Sequence, residues 1–406
     1  MNRVIIHSDL NNFFASVECL KKPWLKTVPM AVAGDSEKRH GIILAKNAIA
    51  AKFGVKTAEP IWSAKRKCPS LVTVPPNHED YAIISMDVRK IYEEYSNKIE
   101  SFGIDECWID ISEIAKSFDE GKKIADEIRE RIKTEIGITA SCGVSFNKVF
   151  AKLGSDMKKP DATTVIHEEN YKDTVWSLPV ERLLFVGKST VNSLHSMNIN
   201  TIGDLARADV KHLEFVLGKN GVSLWINANG EDTSPVTPIC TAPSVKSVGN
   251  SITLPYDIVD EKDVRAALIV LSEKVSERLR RLDFVCGTVQ LWVRDYKLSS
   301  YERQATLSTP NRTAACLFET AFELYKRNHN VGVPIRALGI RAANLSNSNF
   351  EQITISPEPD KFDKYEKIER ITDDIRRQFG KTSLKRGILL TTNVMTDMQL
   401  SEENEP

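Results

Sequence analysis

The chain has 406 residues, of which 27% are charged, and its 55 basic side chains balance its 55 acidic ones. This length exceeds one ordinary hydrophobic core and predicts two to four domains. The neutral balance excludes a polybasic protein, so any nucleic-acid contact must be confined to a local basic face. No apolar run approaches the ~20 residues of a membrane span, which predicts a soluble, intracellular protein without a membrane partner.

The cysteines also indicate an intracellular protein. Seven are scattered along the chain without a Cys-x-x-Cys pair. Such spacing is typical neither of a zinc site nor of a disulfide framework. It predicts reduced, small core residues in a cytoplasmic protein.

The first element in chain order is a buried strand that ends at a carboxylate. The β-branched run Val4–Ile6 predicts a strand buried on both faces, and Asp9 stands where this strand ends. Apolar residues recur at helical spacing over Phe13–Val17. A carboxylate between a buried strand and a helix start favours a metal or phosphate site. The alternative is that Asp9 only caps the helix.

A small basic region follows. Apolar runs at 28–34 and 41–47 lead into a short helix over 48–54, which Gly54 terminates. The basic residues here are Lys38, Arg39, Lys46, Lys52, Lys56, Lys65, Arg66 and Lys67. A run of this kind is usually a solvated face, and near a carboxylate site it can also meet phosphates.

A second acidic cluster comes after a long helix. The helix is predicted over 79–97, and the cluster over Ile104–Asp110 has the pattern of a strand edge. An amphipathic helix over 120–135 and a strand over 138–144 follow. This order predicts an α+β domain with helices stacked on one face of a mainly antiparallel sheet. Asp9 and Asp105 are then expected on neighbouring strands.

Carboxylates that converge from different strands repel each other unless a cation lies between them. Mg²⁺ suits them best, because it takes oxygen ligands and keeps positions open for substrate phosphates. Two such ions about 3.5–4 Å apart can activate a hydroxyl and neutralise a leaving group, which is phosphoryl transfer by a two-metal mechanism. The chain has no phosphate-binding P-loop, no Gly-x-Ser-x-Gly elbow and no His-Glu-x-x-His motif.

The second half of the chain is organised differently. Short helices around a glycine-bearing turn are predicted over 183–205, and the three prolines of 233–243 predict an extended linker. Beyond it, residues 240–347 carry fifteen basic and eleven acidic side chains, as a module that tracks phosphates would. A helix over 360–379 precedes an acidic end that is predicted to be disordered.

Three motifs together resemble the Y-family translesion DNA polymerases. They are His7–Glu18, the Ile104–Glu106 cluster with Asp110, and Gly143–Lys152 continued by Ser155–Pro160. The resemblance runs in order from residue 3 to about residue 345. It implies an α+β polymerase fold that is shaped like a right hand. The fold would consist of a palm (1–18 and 75–165), small fingers (19–74) and a helix-hairpin-helix-like thumb (166–233). A linker (234–244) then leads to a separate α+β little finger (245–347) and a C-terminal extension (348–406).

The resemblance also implies roles for single residues. Asp9, Asp105 and the backbone carbonyl of Leu10 would hold the metal ions, and Glu106 would bind the ion that activates the primer 3′-hydroxyl. Lys159 matches a lysine set against the triphosphate; the alternative is an exposed lysine at a helix end.

Two phenylalanines match positions that contact the nucleotide. Phe13 would do so through its backbone, whereas Phe14 matches the steric gate, whose ring leaves no room for a ribose 2′-hydroxyl. The alternative is that Phe13 and Phe14 are both ordinary core aromatics.

Several positions depart from the family pattern. Members usually carry Tyr and Arg in the fingers to grip the β and γ phosphates, where this chain has Ala48 and Ala51. A nearby lysine, Lys46, Lys52 or Lys56, then substitutes for them, or nucleotide binding is weak. Asn11 replaces the second aspartate of the first motif, Gly103 replaces a serine, and Phe185 replaces the first glycine of the thumb hairpin.

A sliding-clamp peptide is expected near the C terminus. Gln352, Ile353 and Ile355 fall where relatives carry a Gln-Leu-x-Leu-Phe motif, but the terminal aromatic anchor is missing. Clamp binding is therefore a hypothesis.

The resemblance implies a DNA-directed DNA polymerase that copies damaged templates at low processivity and without proofreading. Its substrates would be primer-template DNA and a dNTP, and its cofactors would be two Mg²⁺ ions. The protein would be a monomer located in the cytoplasm and associated with the nucleoid. Two alternatives are a nucleotidyl cyclase on a similar palm, which would not need the basic C-terminal module, and a catalytically weak DNA-binding accessory subunit. Ala48, Ala51 and Asn11 motivate the second.

Overall fold

The computed structural model describes residues 3–34, 41–238, 245–347, 359–380 and 383–391. The chain divides into two compact units, one formed by residues 1–34 and 42–242 and the other by residues 243–406 with the stretch 35–41. Each unit is therefore described by itself. No helix within the described ranges is long and apolar enough to cross a bilayer.

The first unit contains eight strands and eleven α-helices in its described part. The strands are β1 (Ile5–Leu10), β2 (Met30–Ala33), β3 (Ile43–Lys46), β4 (Val72–Val74), β5 (Ile99–Ser101), β6 (Glu106–Asp110), β7 (Ala140–Ser145) and β8 (Thr163–Ile166). The helices are α1 (Phe13–Lys21), α2 (Ala48–Lys52), α3 (Ile61–Lys67), α4 (His78–Glu93), α5 (Phe118–Arg131), α6 (Lys148–Met157), α7 (Tyr171–Val175), α8 (Lys188–Ser196), α9 (Ile202–Arg207), α10 (Val210–Leu217) and α11 (Lys219–Ala228).

A five-stranded sheet with the order β5-β6-β1-β7-β8 forms the centre of this unit. The central strand β1 pairs antiparallel with both β6 and β7, as the sequence predicts for a mainly antiparallel sheet. Only β8, which pairs parallel with β7, departs from that pattern. The resulting mixture of helices and sheet confirms the predicted α+β class.

The helices lie on both faces of this sheet, not on one face as predicted. Val4 and Val144 pack toward Gly121 on α5, in the core that α4 also shares. On the opposite face, α6 approaches β7 so closely that a Cβ on Gly143 would lie 1.9 Å from the carbonyl oxygen of Ala151. Only glycine fits there, and its absence of a side chain brings α6 against the strands that carry the acidic residues.

A three-stranded sheet with the order β3-β2-β4 lies between α1 and α4 in the chain. Its core is formed with α2 and α3 by small apolar residues such as Ala31, Ala50 and Ala64. Asn47 fixes the start of α2, because its side chain accepts from Ala50 N and donates to the carbonyls of Leu25 and Val28.

Helices α7 to α11 pack around one hydrophobic core, to which α6 and Ile166 of β8 also contribute. Thr201 and Asp204 make a reciprocal capping box at the start of α9. The turn before α8 places Phe185 at φ 70°, and its side chain is 62% exposed. This is the left-handed conformation that a glycine would adopt freely.

The second unit is built on a four-stranded antiparallel sheet with the order β11-β10-β12-β9. Its elements are β9 (Ser247–Ile258), α12 (Glu261–Arg281), β10 (Phe284–Asp295), β11 (Ser300–Asn311), α13 (Ala314–Asn328), β12 (Ile335–Asn347) and α14 (Pro359–Phe379). Alternate residues of β10, Val289, Leu291 and Val293, pack into the core under α12 and α13.

Buried ion pairs hold α14 against the rest of the second unit. Glu369 accepts from Ala314 N at the start of α13 and pairs with Arg280, while Arg280 Nε donates to Asp373 at 2.7 Å. Arg312 pairs with Glu366 in the same way. Both arginines are nearly inaccessible to solvent, so α14 neutralises charges that would otherwise be buried without partners.

The boundaries of palm, fingers, thumb, linker and little finger stay predictions. The predicted clamp peptide and the acidic end lie outside the described residues. The described cysteines are free, and most of them are buried, as the sequence predicts.

The left-handed turn at Phe185 gives a stability prediction. Phe185→Gly should raise the free energy of unfolding by about 1 kcal/mol, because glycine adopts this φ without strain and the exposed ring contributes little burial. Urea unfolding measures the change. Phe215→Gly is the matched control: this residue is also exposed but lies in helix α10, where glycine should cost about 1 kcal/mol. Equal effects of the two substitutions would contradict the conformational explanation.

Candidate active site

The acidic residues meet at one end of the β1 and β6 pair. The antiparallel register places Asp9 directly opposite Glu106, so both side chains project from the same face of the sheet. Asp105 immediately precedes β6, and its carbonyl accepts from Leu10 N at 3.0 Å. The structure thus brings together the three carboxylates that the sequence singles out.

Lys159 completes this cluster from the segment after α6. Its Nζ donates to Asp9 Oδ2 at 2.7 Å and also lies 2.9 Å from Asp156 Oδ1. Burial raises the pKa of Asp9 to about 6, although the contact with Lys159 opposes that rise. Burial disfavours the charge on Lys159, but its two carboxylate partners raise the pKa of this ammonium above its usual value. Lys159 is therefore a partner of the carboxylates rather than a lysine pointing only to solvent.

Glu106 is held by two basic side chains. His7 is completely buried, with Nε2 3.3 Å from Glu106 Oε2 and Nδ1 2.9 Å from Ser155 Oγ. Lys152 on α6 makes a second, short contact with the same carboxylate oxygen. Burial would raise the pKa of Glu106, but these contacts outweigh it and lower the pKa to about 2. Burial lowers the pKa of His7 and so favours the neutral ring, whose Nε2 faces Glu106 but has no hydrogen-bond partner among the described residues.

Asp105 has the opposite electrostatic environment. Burial raises its pKa above the usual value, and the neighbouring charge of Glu106 raises it further. It forms no ion pair among the described residues. A partly desolvated carboxylate beside another carboxylate is a place where added positive charge is stabilising.

Asn11 connects the end of β1 to the segment that carries Lys159. Its amide nitrogen donates to Ser141 Oγ at 2.9 Å, and its carbonyl oxygen accepts from Thr139 Oγ1 at 3.1 Å and from Asp161 N at 2.9 Å. An aspartate could accept these bonds but could not donate to Ser141. The departure from the family pattern at this position therefore has a structural role.

The two phenylalanines at the start of α1 differ in environment. Phe13 is buried in the core, as expected of an ordinary core aromatic. Phe14 is partly exposed and stacks on Tyr81, with ring centroids 4.3 Å apart and an interplanar angle of 12°. Tyr81 is itself fixed by donating to Glu18 at 2.8 Å. Phe14 is thus a rigid ring with one accessible side.

The predicted substitutes for Tyr and Arg in the fingers lie around α2. Ala48 and Ala51 belong to this helix and offer no hydrogen-bond donors beyond the backbone. Lys52 is exposed at its end and has neither a hydrogen bond nor an ion pair among the described residues. Lys46 Nζ donates to Thr57 Oγ1 at 3.3 Å. Lys52 is thus available, but the structure does not bring it against the carboxylates.

The second unit offers an open groove on the outer face of its sheet. Residues that alternate with the core positions of β10 point outward there, among them Gln290 and Trp292. Gly339 lies opposite Trp292 on β12 and leaves room for the indole ring. Arg278 and Arg341 line the same groove, which makes it a candidate nucleic-acid interface.

Sequence reasoning missed His7, Lys152 and the connecting role of Asn11. Strand alternation could have found His7, because residues two apart on β1 face the same side and Asp9 was already singled out. Lys152 lies in a quoted motif, but its contact with Glu106 depends on the packing of α6 at Gly143. Nothing local in the sequence predicts that contact.

The donor set suits a hard divalent cation. Asp9, Asp105 and Glu106 supply only oxygen atoms, and burial of Asp9 and Asp105 disfavours their charges unless positive charge is near. In this conformation Lys152 and Lys159 provide that charge. Among the described residues, no group of three or more acidic, histidine or cysteine side chains is arranged to enclose a metal ion as it stands. The residues thus fit the cation in chemistry, and in this conformation Lys152 and Lys159 pair with carboxylate oxygen atoms that it would use.

Comparison with known proteins shows which family the chain belongs to. The model of the impB/mucB/samB family matches residues 8–156, and that of its C-terminal domain matches residues 245–355. The chain is 50% identical over 391 residues to a protein named DNA polymerase IV from Acetivibrio thermocellus, covering 96% of this chain and 98% of the relative. It is 37% identical to a protein of the same name from Clostridium kluyveri, with 96% and 99% covered.

A solved structure shows the same fold. It is the Y-family DNA polymerase chimera Dbh-Dpo4(243-245)-Dbh, which matches with a TM-score of 0.75 and 24% identity over 85% of this chain and 99% of the chimera. The chain belongs to the Y-family DNA polymerases, which confirms the resemblance seen in its motifs. Members of this family are nucleotidyltransferases that use divalent metal ions.

The opposite environments of Asp105 and Glu106 give a stability prediction without added metal. The pKa of Asp105 is raised, so its charge opposes folding at neutral pH, and Asp105→Asn should raise the unfolding temperature by a few degrees. The pKa of Glu106 is lowered, so its charge favours folding, and Glu106→Gln should lower that temperature. Thermal unfolding in the presence of a chelator measures both. Shifts of the same sign would contradict the assigned electrostatics.

Proposed function

We propose that this protein is a template-directed DNA polymerase that transfers a nucleotide from a dNTP to a primer 3′-hydroxyl. The observation that carries the proposal is the register of β1 and β6, which sets Asp9 opposite Glu106 with Asp105 beside them. The names of the relatives and the Y-family fold support the same activity. Synthesis would be of the translesion type, with low processivity and no proofreading.

Two Mg²⁺ ions are the proposed cofactors. Asp9, Asp105 and the carbonyl of Leu10 would hold them, and Glu106 would bind the ion next to the primer terminus. When bound, the ions lower the pKa of the attacking hydroxyl and neutralise charge on the leaving pyrophosphate. Lys152 pairs with Glu106, and His7 lies 3.3 Å from it on the buried side, so this carboxylate needs little reorganisation when a substrate arrives.

Lys159 and Lys52 are the proposed contacts to the triphosphate. The ammonium of Lys159 already lies at the carboxylate cluster, 2.7 Å from Asp9 Oδ2, and can exchange this partner for a phosphate oxygen. Lys52 has no ion pair within the described ranges and stands at the end of α2, where Ala48 and Ala51 provide no side-chain donors. A lysine on a flexible stem would give weaker phosphate recognition than an arginine fork. The intact carboxylates favour an active polymerase over the accessory-subunit alternative.

Phe14 is the proposed steric gate. Its ring is fixed by the stack on Tyr81 and by the edge of His78, whose ring centroid is 5.8 Å away. A ring that cannot move aside rejects a ribose 2′-hydroxyl by collision rather than by weaker attraction. Phe13 would contact the nucleotide through its backbone.

The proposed partners are primer-template DNA, the incoming dNTP and the replicative sliding clamp. The DNA would contact the groove that Trp292 and Arg341 line on the second unit. The clamp peptide with Gln352, Ile353 and Ile355 lies outside the described residues, and its role is tested by processivity with and without the clamp. The protein would act as a monomer in the cytoplasm, associated with the nucleoid.

Primer extension tests the activity. The chain should extend a labelled primer on an undamaged template with Mg²⁺ and dNTPs, and Asp105→Asn should reduce the rate by at least about a thousand-fold, because it removes a proposed metal ligand. Asp110→Asn is the matched control on the same strand, since Asp110 lies at the far end of β6 and binds Ser112. Equal extension by Asp105→Asn and the parent would refute the metal assignment.

The sugar discrimination of Phe14 can be measured separately. Phe14→Ala should raise ribonucleotide insertion relative to deoxynucleotide insertion by about a hundred-fold or more, because removing the ring opens the space beside the sugar. Single-nucleotide insertion kinetics give the ratio of the two kcat/KM values. Phe13→Leu, a change in the buried neighbour, should leave that ratio almost unaltered. An unchanged ratio in Phe14→Ala would assign Phe14 to the core alone.

A further inference from the structure

The outward face of helix α3 carries an unusual combination of side chains. The helix buries Ile61 and Ala64 against the small three-stranded sheet. Its other side presents Trp62, Lys65 and Arg66, which follow each other at helical spacing and are all exposed. We refer to these three residues as the α3 face.

Positive charge is concentrated around this face. Residues 41–74 contain six basic side chains and a single acidic one, Glu59, within a chain whose net charge is zero. Lys67 pairs with Glu59, whereas Lys65 has neither a hydrogen bond nor an ion pair among the described residues. A local excess of this kind matches a polyanionic partner.

The α3 face also carries an exposed tryptophan, Trp62, which binding of charge alone does not explain. Its side chain is 68% exposed, and Arg66 Cζ lies 5.7 Å from the centre of its ring. An indole in solvent beside a guanidinium is a platform for a flat, aromatic group that carries negative charge nearby. Nucleic-acid bases with their phosphates have this chemistry.

The platform fits single-stranded rather than double-stranded nucleic acid. In a duplex each base is covered above and below by its neighbours, so an exposed indole has no free base to contact. In an unpaired strand every base has an available face, and stacking on an aromatic side chain contributes about 1–3 kcal/mol per base. The basic residues then meet the backbone phosphates.

We propose that the α3 face binds the unpaired template strand that has not yet been copied, with a base stacked on Trp62 and phosphates at Lys65 and Arg66. This inference rests on the proposed function, because only a template-copying enzyme holds such a strand beside its active site. It assigns to the fingers a template contact made by side chains that the nucleotidyl-transfer chemistry does not use.

Binding of the full chain to primer-template DNA tests the proposal. Fluorescence anisotropy gives the Kd for two substrates that share one duplex, one with a single-nucleotide template overhang and one with an overhang of about ten nucleotides. Trp62→Ala should weaken binding of the long overhang about five-fold or more and leave the short one unchanged. Trp62→Phe should retain most of the affinity. Trp24→Ala is the matched control, because Trp24 is also an exposed tryptophan but lies in the short helix Pro23–Thr27 rather than on α3.

The salt dependence of binding tests the charged residues separately. Replacing Lys65 and Arg66 together by alanine should make the affinity for the long overhang less sensitive to salt, with the slope of log Kd against log salt falling by about 0.7 for each phosphate that is no longer neutralised. Equal losses of affinity for both overhangs, or none in Trp62→Ala, would overturn the proposal. A higher KM for dNTP with unchanged overhang binding would overturn it too, and would assign the face to the triphosphate. Because binding needs no catalysis, a chain that fails to extend primers can still pass or fail this test.

Discussion

The pairing of β1 with β6 is the constraint on which the rest of the site depends. It places Asp9 opposite Glu106 on a sheet whose interior excludes water, so like charges are brought together where they are least tolerated. The fold compensates them with Lys152 and Lys159, both from the segment formed by α6 and its continuation. The close approach of α6 to Gly143 is therefore as necessary to the site as the carboxylates themselves.

Two further contacts turn this cluster into an ordered one. His7 reaches Glu106 from the buried side, and Asn11 joins the end of β1 to Asp161 just beyond Lys159. Neither side chain is offered to a substrate. Their effect is to limit the positions that the carboxylates and Lys159 can adopt, and such preorganisation lowers the cost of binding charged ligands.

The neutral net charge of the chain conceals a marked separation of charge. The region around α2 and α3 is strongly basic, and the second unit buries Arg280 and Arg312 by pairing them with acidic residues of α14. Some of its arginines therefore stabilise the fold, whereas Arg341 lines an open groove. A count of basic residues alone could not distinguish these two uses.

The sequence by itself determined the α+β class and the family, and it singled out Asp9, Asp105 and Glu106 as carboxylates at strand ends, because buried strands and their terminal carboxylates follow local patterns of hydrophobicity. It also marked Phe185 as a residue in a glycine position, which its positive φ bears out. Only the tertiary structure decided that helices cover both faces of the sheet, that His7 and Lys152 hold Glu106, and that Phe14 stacks on Tyr81. Those contacts join residues far apart in the chain, and they depend on how closely helices pack against strands, which no local pattern encodes.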